Sequence, residues 1–389
     1  MPEFSTLPPL SLYLHIPWCV KKCPYCDFNS HTFESGLPEE QYINSLIADL
    51  ETQLPTVWGR RIISVFIGGG TPSLFSGESI HKVMSTIRSH LTCLPNMEVT
   101  MEANPGSVEQ EKFNAFYQAG VNRLSIGVQS FDDDKLQALG RIHNASEAIN
   151  AVAVARKAGF ENINLDLMFG LPGNMGRQSV AQALSDLQQA IDLAPQHISW
   201  YQMTIEPNTF FYSHPPITPE EDELWEMQLQ GQRLLASAGY EQYEISAYAR
   251  QSLRCSHNVN YWQFGDYLAI GAGAHGKISR ADMGEINRYW QVRKPDDYMQ
   301  ASATDKTSGI ELLTEQQIVF EFMLNALRLK QGFDIETFEQ HTGLKHEMIR
   351  EKCQQAMDKG LLQKQGNDYA ATQQGYLFLN DLINHFSVA

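Results

Sequence analysis

Six short apolar runs, each followed by a helical pattern, constrain the fold of this chain more than any other feature. The runs carry few alternating charges, which is typical of parallel strands that are covered on both faces. Repeated β-then-α units predict an α/β fold with a parallel sheet, either open or curled into a barrel. The predicted strand and helix pairs are 11–17 with 38–54, 64–72 with 76–91, 98–106 with 107–119, 123–130 with 132–139 and 146–158, 163–172 with 178–193, and 197–207 with 220–238.

The pattern changes after residue 240, and a smaller unit is expected at the end of the chain. Strands are predicted at 240–246 and 267–276 around an irregular stretch, and residues 280–310 are polar and loop-like, as in a linker. Beyond residue 311, helical patterns precede a hairpin (LLQKQ, GND, YAATQ) and a final helix, which indicates a small winged-helix-like α+β domain. The predicted helices there are 314–329, 334–341 and 345–358, and the predicted domains are 1–295 and 311–389.

Charge and cysteine usage exclude several classes of protein. The chain of 389 residues carries a net charge of −16, and residues 311–389 hold five Lys and two Arg against eleven Asp and Glu. Nucleic-acid binding needs clustered basic side chains, so neither DNA nor RNA is an expected partner. We expect no signal peptide and no transmembrane segment. Six cysteines in so long a chain indicate a reducing, cytoplasmic setting rather than a disulfide framework.

Three cysteines lie within eight positions in HIPWCVKKCPYC, residues 15–26: Cys19, Cys23 and Cys26. Thiolate sulfur is a soft ligand that favours zinc and iron–sulfur clusters. Three thiolates on one loop can hold three irons of a [4Fe–4S] cube and leave the fourth iron open to a small molecule. The spacing therefore indicates an iron–sulfur cluster with one free corner.

Structural zinc is the alternative interpretation of this motif. Its fourth ligand would be one of three neighbours of the trio: His15, Asp27 or His31. Zinc sites are usually built from two separated CxxC-like knuckles. The remaining cysteines stand alone and far apart, at positions 93, 255 and 353, so the pattern favours the cluster.

Polar and glycine residues collect where the predicted strands end. Glycines 68–70 and Thr71 end the second strand, Glu102 ends the third and Gln129 the fourth, while Asp166 lies in the fifth. In barrel enzymes the carboxyl ends of the strands carry the active site. We therefore expect the functional residues at this edge of the sheet.

A parallel α/β chain that begins with CxxxCxxC and has GGGTP after the next strand resembles the radical S-adenosylmethionine (SAM) enzymes. In that family the amino and carboxylate groups of SAM chelate the open iron. An electron from the reduced cluster then cleaves SAM to methionine and a 5′-deoxyadenosyl radical. The resemblance implies that the protein positions the cofactor and excludes side reactions.

Further segments narrow the resemblance: YLHIPWCVKKCPYCDF, FIGGGTPS, MEANPG, RLSIGVQSF, LGRIH and NLDLMFGLP are similar to the oxygen-independent coproporphyrinogen oxidase group. That group has a partial, six-unit (β/α) barrel and a small C-terminal helical domain. The resemblance puts the [4Fe–4S] cluster on Cys19, Cys23 and Cys26. It puts SAM on Tyr13, Gly69, Gly70, Thr71, Glu102, Gln129, Arg141 and Asp166.

The group contains at least two functions, which differ in two motifs. Dehydrogenases, which decarboxylate two propionates of coproporphyrinogen III, typically carry CxxxCxxCxC, whereas this chain has Phe28 at the fourth cysteine position. Relatives without that cysteine are heme chaperones, which bind heme, deliver it to acceptor proteins and typically carry HNxxYW. The motif is present as HNVNYW, with His257, Asn258, Tyr261 and Trp262. The resemblance therefore implies a heme chaperone, with the dehydrogenase as the alternative.

The HNVNYW residues suit a porphyrin. A neutral imidazole such as His257 is a good axial ligand for heme iron, and Cys255 is a rival thiolate ligand. Tyr261 and Trp262 offer flat apolar surface, and Asn258 can hydrogen-bond a propionate. The sequence leaves open whether the protein is a monomer or a homodimer and whether it contacts a membrane surface.

Overall fold

The chain is built around one large sheet whose central strands are parallel. The computed structural model describes residues 2–33, 36–107, 110–250 and 253–387. The strands are β1 (Leu10–Ile16), β2 (Trp18–Cys19), β3 (His31–Thr32), β4 (Arg61–Gly69), β5 (Thr92–Ala103), β6 (Arg123–Gln129), β7 (Asn162–Phe169), β8 (His197–Gln202), β9 (Glu241–Gln242), β10 (Ala247–Ala249), β11 (Asp266–Ile270), β12 (His275–Arg280), β13 (Glu285–Gln291), β14 (Thr307–Leu312), β15 (Phe333–Asp334), β16 (Leu362–Gln365) and β17 (Asp368–Ala371).

Helices connect and cover these strands. They are α1 (Glu39–Gln53), α2 (Gly77–His90), α3 (Gln110–Gln118), α4 (Asp133–Ala138), α5 (Ala145–Lys157), α6 (Val180–Asp192), α7 (Phe210–Ser213), α8 (Glu221–Ser237), α9 (Ser256–Trp262), α10 (Pro295–Gln300), α11 (Glu315–Ala326), α12 (Ile335–Thr342), α13 (Glu347–Asp358), α14 (Gln373–Leu377) and α15 (Leu379–Asn384). Local signals set several of the starts. Capping boxes join Asn144 to Glu147 before α5 and Ser179 to Gln182 before α6, which satisfies backbone N–H groups that lack a partner within the helix.

The large sheet has the order β14-β13-β12-β11-β1-β4-β5-β6-β7-β8-β10-β9. Neighbours from β11 to β8 are parallel, and the pairings outside them are antiparallel. Within the described residues the two outer strands do not pair with each other, so the sheet is open. Side chains from β4 to β8 nevertheless line one common cavity, which requires the sheet to curve. The predicted α/β class and partial barrel of six β-then-α units are confirmed.

The interpretation of residues 280–310 as a linker is wrong. Strands β13 and β14 extend the sheet from β12, and α10 lies between them. Strand β13 buries Ile286, Tyr289 and Gln291 while its other side chains are partly exposed. Partly exposed side chains are typical of antiparallel strands that face water on one side, and they make the segment more polar than the central strands.

The HNVNYW motif, which lies within the stretch predicted to be irregular, is helical and belongs to α9. Its first N–H groups have a partner that is distant in the sequence. The Glu98 carboxylate of β5 accepts hydrogen bonds from the backbone N–H groups of Ser256 (3.0 Å) and His257 (3.3 Å). A negative group at a helix N-terminus is stabilising, and this one fastens α9 to the sheet.

The C-terminal segment has its own apolar core and the predicted winged-helix-like arrangement. Helices α11 to α13 precede the hairpin of β16 and β17, which pairs with β15 in a three-stranded sheet. The core of this segment also contains Phe264 and Ile286 from the preceding part of the chain. The exact limits 1–295 and 311–389 stay a prediction. Among the described residues, no helix is both long and apolar enough to cross a membrane.

A buried group of charges joins β11 to β12 and to the start of β4. Asp266 is fully buried and accepts hydrogen bonds from Lys277 Nζ (2.8 Å) and Arg60 Nη1 (2.7 Å). The backbone N–H and the hydroxyl of Ser279 also donate to this carboxylate, both over 2.9 Å. Burial raises the pKa of Asp266, but Lys277 and Arg60 outweigh that effect and hold its pKa below the usual value.

Replacing Asp266 by Asn should lower the free energy of unfolding by about 3–5 kcal/mol, because two buried cations lose their charged partner. Urea denaturation at pH 7 measures the change.

Since the pKa of Asp266 is depressed in the folded state, the contribution of its carboxylate to the free energy of unfolding is present above pH ~4 and is lost as the pH falls through the folded pKa. D266N should therefore lose less stability than the wild type on acidification. The exposed pair of Arg280 and Asp282 provides the control, and an effect of D282N as large as that of D266N would contradict this prediction.

Candidate functional site

The three cysteines of the motif lie on a loop whose two ends are joined. Strand β2 pairs with β3 through Trp18 with His31 and Cys19 with Thr32. Within the loop, the Cys26 N–H donates to the Cys23 carbonyl oxygen over 3.1 Å. All three cysteines are free thiols and partly buried, so their sulfurs are available as ligands.

Each sulfur of the trio lies near a polar group. Thr71 Oγ1 donates to Cys19 Sγ (3.5 Å), Arg141 Nη1 donates to Cys23 Sγ (3.7 Å), and the Ser30 hydroxyl lies 3.9 Å from Cys26 Sγ. Burial raises the pKa of the Cys19 and Cys26 thiols. A partly desolvated thiol becomes a thiolate most readily when a metal binds it, and the three donors would then stabilise the bound sulfurs.

The spacing of these sulfurs does not favour a single ion. Among the described residues, the group whose ligand atoms all lie within 4.8 Å of one another is Glu98, Cys255 and His257. The trio forms no such group with His15, His31 or Asp27. An iron–sulfur cube holds its thiolates further apart than one zinc ion does, because each thiolate binds a different iron. The donor set of three thiols therefore fits the predicted [4Fe–4S] cluster.

The glycine turn after β4 supports the cysteine loop. Gly70 N–H donates to the Ile16 carbonyl oxygen and Thr71 N–H to the Trp18 carbonyl oxygen, both over 2.7 Å. A Cβ atom at Gly70 would lie 2.5 Å from the Trp18 oxygen, so only glycine permits this approach. Gly69 has a φ of +118°, which favours glycine over residues with a side chain.

The trio, the turn and the strand ends enclose one cavity of about 470 Å³, here called the cysteine cavity. It is lined by most of the residues that the sequence assigns to the cluster and to SAM, and by two residues of the HNVNYW motif. These are Cys19, Cys23, Cys26, Gly69, Gly70, Thr71, Glu102, Gln129, Arg141, Asp166, His257 and Asn258. Residues far apart in sequence thus meet at the carboxyl edge of the sheet, where they were expected.

Two carboxyl groups line the cysteine cavity. Glu102 Oε2 accepts the Gly69 N–H over 3.0 Å, and Asp166 accepts Ser125 Oγ (2.9 Å) and Asn164 Nδ2 (2.7 Å). Burial and the neighbouring Asp166 carboxylate raise the pKa of Glu102 to about 8. Burial also raises the pKa of Asp166. A cationic ligand beside the two groups would reverse these shifts, so this part of the cavity favours a positive charge.

Gln129 and Arg141 also line the cysteine cavity. Gln129 has a φ of +69° at a bulge near the end of β6, and Tyr201 donates a hydrogen bond to its Oε1 over 3.0 Å. Arg141 Nη2 donates to the Gly127 carbonyl oxygen over 2.7 Å, and its buried Nε has no hydrogen-bond partner among the described residues. A strained backbone and an unpaired donor are both common at ligand sites, and the donor suits a negative or polar ligand atom.

A network of polar side chains in the wall of the cysteine cavity was missed from the sequence. Asn164 Nδ2 donates to Ser125 Oγ (2.7 Å), and Ser199 Oγ donates to Asn164 Oδ1 (3.1 Å). Arg123 is buried beside these residues and also lines the cavity. The sequence does contain a sign of this network. In the segments RLSIG and NLDLM of otherwise apolar strands, a polar residue or glycine occupies every second position, apart from the last residue of the second segment.

His257 and Cys255 lie buried at the inner end of this network, next to Glu98. His257 Nδ1 is 3.0 Å from Glu98 Oε1, and Cys255 Sγ is 3.1 Å from Nδ1 and 3.4 Å from Nε2. Burial raises the pKa of Glu98, but His257 and Arg123 outweigh it and hold that pKa well below its usual range. Burial lowers the pKa of His257. The group therefore pairs an ionised Glu98 with a neutral imidazole that donates through Nδ1.

The other aromatic residues of the motif face a second cavity. This aromatic cavity, of about 810 Å³, is lined by Tyr13, Tyr261, Trp262, Tyr267 and Trp290, together with His15, His275, Gln291 and Arg293. Tyr13 thus lines the aromatic cavity and not the cysteine cavity, and of the other residues that the resemblance assigns to SAM only Gly69 and Glu102 line the aromatic cavity with it. The two cavities share a wall made of Asp27, Phe28, Phe66, Gly69 and Glu102.

Comparison with known proteins agrees with this geometry. The Radical SAM superfamily matches residues 13–178, and the HemN C-terminal domain matches residues 313–378. The chain is 48% identical to the Heme chaperone HemW of Haemophilus influenzae and 47% identical to the Heme chaperone HemW of Escherichia coli, each over 98% of both chains. The solved structure of coproporphyrinogen III oxidase (HemN) from Escherichia coli has the same fold, with a TM-score of 0.82 at 21% identity over 98% of this chain and 91% of that chain.

Full-length identity at this level, together with a cysteine loop that faces a cavity suited to SAM, shows the family. The chain belongs to the HemW family of heme chaperones within the radical SAM superfamily.

Proposed function

We propose that this protein binds heme and delivers it to acceptor proteins, and that it carries a [4Fe–4S] cluster and SAM beside the heme. The observation that carries the proposal is the pair of adjoining cavities on either side of Phe66 and Glu102. One is polar and faces three thiols, and the other is aromatic and faces the end of the HNVNYW helix. Two ligands of different chemistry can therefore lie side by side.

The cysteine cavity is the proposed place for the cluster and for SAM. Cys19, Cys23 and Cys26 would each hold one iron, and when bound the cluster would offer its fourth iron to the amino and carboxylate groups of SAM. Thr71 and Arg141 donate to the sulfurs and would stabilise their negative charge. Glu102 and Asp166 would face the positive charges of SAM, and Gln129 would offer a polar amide to its sugar or base.

The aromatic cavity is the proposed place for heme. Tyr261 and Trp262 would cover part of a porphyrin face, since flat rings bury large apolar areas. Phe28 is 60% exposed and lies between the two cavities. A cavity that opens to the surface is compatible with transfer of heme to an acceptor protein. Free thiols such as those of the cysteine loop persist in a reducing compartment such as the cytoplasm.

Dehydrogenation of coproporphyrinogen III is the second candidate function. The resemblance to the oxidase group includes the three cysteines of the cluster and the SAM residues. The position of the fourth cysteine is occupied by Phe28, which has no thiol to offer to a second SAM or to the substrate. This observation favours the chaperone over the dehydrogenase.

The first prediction concerns the cluster. Anaerobic reconstitution of the wild type should give about four iron and four sulfide per chain. C23A should retain less than about one iron, because one corner of the cube loses its ligand. The matched control is C93A, which removes a partly buried free thiol outside the loop and should retain the full content. Stoichiometric zinc without sulfide would contradict the assignment.

The second prediction concerns the pH dependence of SAM binding. The pKa of Glu102 is raised to about 8, so its carboxyl group is protonated below that pH. A cationic ligand binds better to the ionised carboxylate, and its binding below pH 8 therefore displaces the proton of Glu102. Affinity for SAM should therefore rise between pH 6 and 8, by up to about tenfold per pH unit for one displaced proton, and level off above pH 8. Isothermal titration of the oxidised cluster protein measures this dependence.

E102Q is the matched variant for that experiment. It should bind SAM more weakly at pH 8.5 and show a flat profile across the same range, because the amide does not titrate. A flat profile in the wild type would contradict the role of Glu102.

The third prediction separates the two candidate functions. Titration of the wild type with heme should give a Soret shift that saturates near one heme per chain. Incubation with coproporphyrinogen III, SAM and a reductant under anaerobic conditions should leave the propionates intact, as read by mass spectrometry. Loss of two carboxyl groups without heme binding would establish the dehydrogenase instead.

A further inference from the structure

We propose that a buried chain of hydrogen bonds couples the SAM site to the helix of the heme site, with His197 and Tyr243 as its positioning residues. The chain runs from Asp166 in the wall of the cysteine cavity to the backbone N–H of Cys255, the residue that precedes α9. The inference rests on the proposed function, because that function assigns SAM to the cysteine cavity and heme to the helix of the HNVNYW motif. Through this chain the binding of either ligand strengthens binding of the other.

The first links of the chain join the cavity wall to His197. Asn164 Nδ2 donates to Asp166 Oδ1 over 2.7 Å, and Asn164 Oδ1 lies 2.6 Å from His197 Nδ1. An oxygen of the ionised carboxylate can only accept, so the amide nitrogen of Asn164 faces Asp166 and its carbonyl oxygen faces the ring. The Ser199 hydroxyl donates to that same carbonyl oxygen. His197 Nδ1 must therefore carry the proton of the ring.

The remaining links join His197 to the start of α9. His197 Nε2 lies 2.9 Å from the Tyr243 hydroxyl, and the Cys255 N–H donates to the oxygen of that hydroxyl over 3.3 Å. Burial and the charge of Arg123 lower the pKa of His197 well below its usual value, so the ring is neutral at pH 7. Because Nδ1 carries the proton, Nε2 accepts from the Tyr243 hydroxyl. Every donor in the chain then points toward Asp166.

The direction of the chain is fixed because its members are buried. His197 is 0% exposed, and Asn164 and Tyr243 are each 2% exposed. With the opposite tautomer of His197, its Nδ1 and the Asn164 oxygen would be two acceptors 2.6 Å apart, and a buried acceptor without a donor is costly. Buried hydrogen bonds in a chain also polarise one another. A change at Asp166 is therefore carried toward Cys255.

Tyr243 holds α9 in two ways. Its hydroxyl binds the Cys255 N–H, while Glu98 binds the next two backbone N–H groups of the helix. Its ring belongs to the apolar cluster against which Val259 and Trp262 pack. Since Trp262 also lines the aromatic cavity, the position of Tyr243 affects both the start of α9 and the residue that reaches the proposed heme site.

SAM acts on the chain at Asp166. A positive charge of SAM beside this buried group favours its ionised form, and an ionised acceptor forms a stronger hydrogen bond than a neutral one. Because each bond polarises the next, the Tyr243 oxygen becomes a better acceptor for the Cys255 N–H. The start of α9 is then held more firmly. A helix that is already ordered loses less conformational freedom when heme binds, which raises the affinity for heme.

The test measures heme affinity with and without saturating SAM, by absorption titration of protein with an oxidised, reconstituted cluster. In the wild type, SAM should strengthen heme binding about fivefold, at the low end of usual coupling between sites. The reverse titration should give the same factor for SAM, because coupling is reciprocal. In Y243F the factor should fall below about twofold, since the link between His197 and Cys255 is lost and only the shared wall remains.

The matched control is Y240F. Tyr240 is as buried as Tyr243, at 2% exposed, and its hydroxyl donates to the Pro195 carbonyl oxygen over 2.7 Å. Its hydroxyl lies outside the chain, and the side chain is not among those that line either cavity. Each variant loses one buried hydrogen bond, so a general loss of stability would affect both. Y240F should keep the fivefold factor, and an equal loss in both variants would overturn the coupling.

The tautomer of His197 provides a second measurement that is made on the wild type. Nitrogen NMR of protein with labelled histidine, without heme, should show a protonated Nδ1 and an unprotonated Nε2. The signals are assigned by their absence in H197Q. Addition of SAM should shift the Nε2 signal, because the bonds on either side of the ring become stronger. The opposite tautomer, or signals that SAM leaves unchanged, would overturn the chain as the route.

The outcomes separate this inference from the function on which it rests. A wild type that binds heme equally well with and without SAM, or a factor that survives in Y243F, would overturn the coupling while heme binding stands. A wild type that binds no heme, with or without SAM, would instead overturn the proposed function.

Discussion

The short turn from Gly68 to Thr71 is the contact on which the rest of this site depends. On one side its backbone N–H groups bind the carbonyl oxygens of Ile16 and Trp18 and so fix the start of the cysteine loop. On the other side the Gly69 N–H holds the Glu102 carboxylate. Because Gly69 and Glu102 border both cavities, this turn sets the position of the cluster loop and of the shared wall together.

The residues of the HNVNYW motif are divided between the two cavities that this wall separates: His257 and Asn258 line the cysteine cavity, and Tyr261 and Trp262 line the aromatic cavity. Helix α9 begins against Glu98, a residue of the sheet, and this places His257 behind Phe66. Four and five residues after His257, Tyr261 and Trp262 face the aromatic cavity. A motif that reads as one ligand set in the sequence is thus divided, with its histidine in the interior of the sheet and its aromatic pair at the neighbouring cavity.

Local sequence signals predicted the features that depend on spacing and period. The cysteine trio, the glycine turn and the alternation of strands and helices follow from residues close together in the chain, and the structure contains them. Features that depend on distant partners were missed. The carboxylate that begins α9 lies 158 residues before Ser256, and the polar network joins Ser125, Asn164 and Ser199 from three strands. A single polar residue in an apolar strand does not by itself indicate a site. The network becomes recognisable only when the curved sheet brings such residues from several strands together.

The central claim is that two cavities with one common wall hold two ligands at the same time. Calorimetric titration of heme into protein with a reconstituted cluster, with and without saturating SAM, tests it directly. The account predicts about one heme per chain in both titrations, with affinities that differ only modestly through the shared wall. Loss of the heme site when SAM is bound would contradict it, since a single cavity would then serve both ligands.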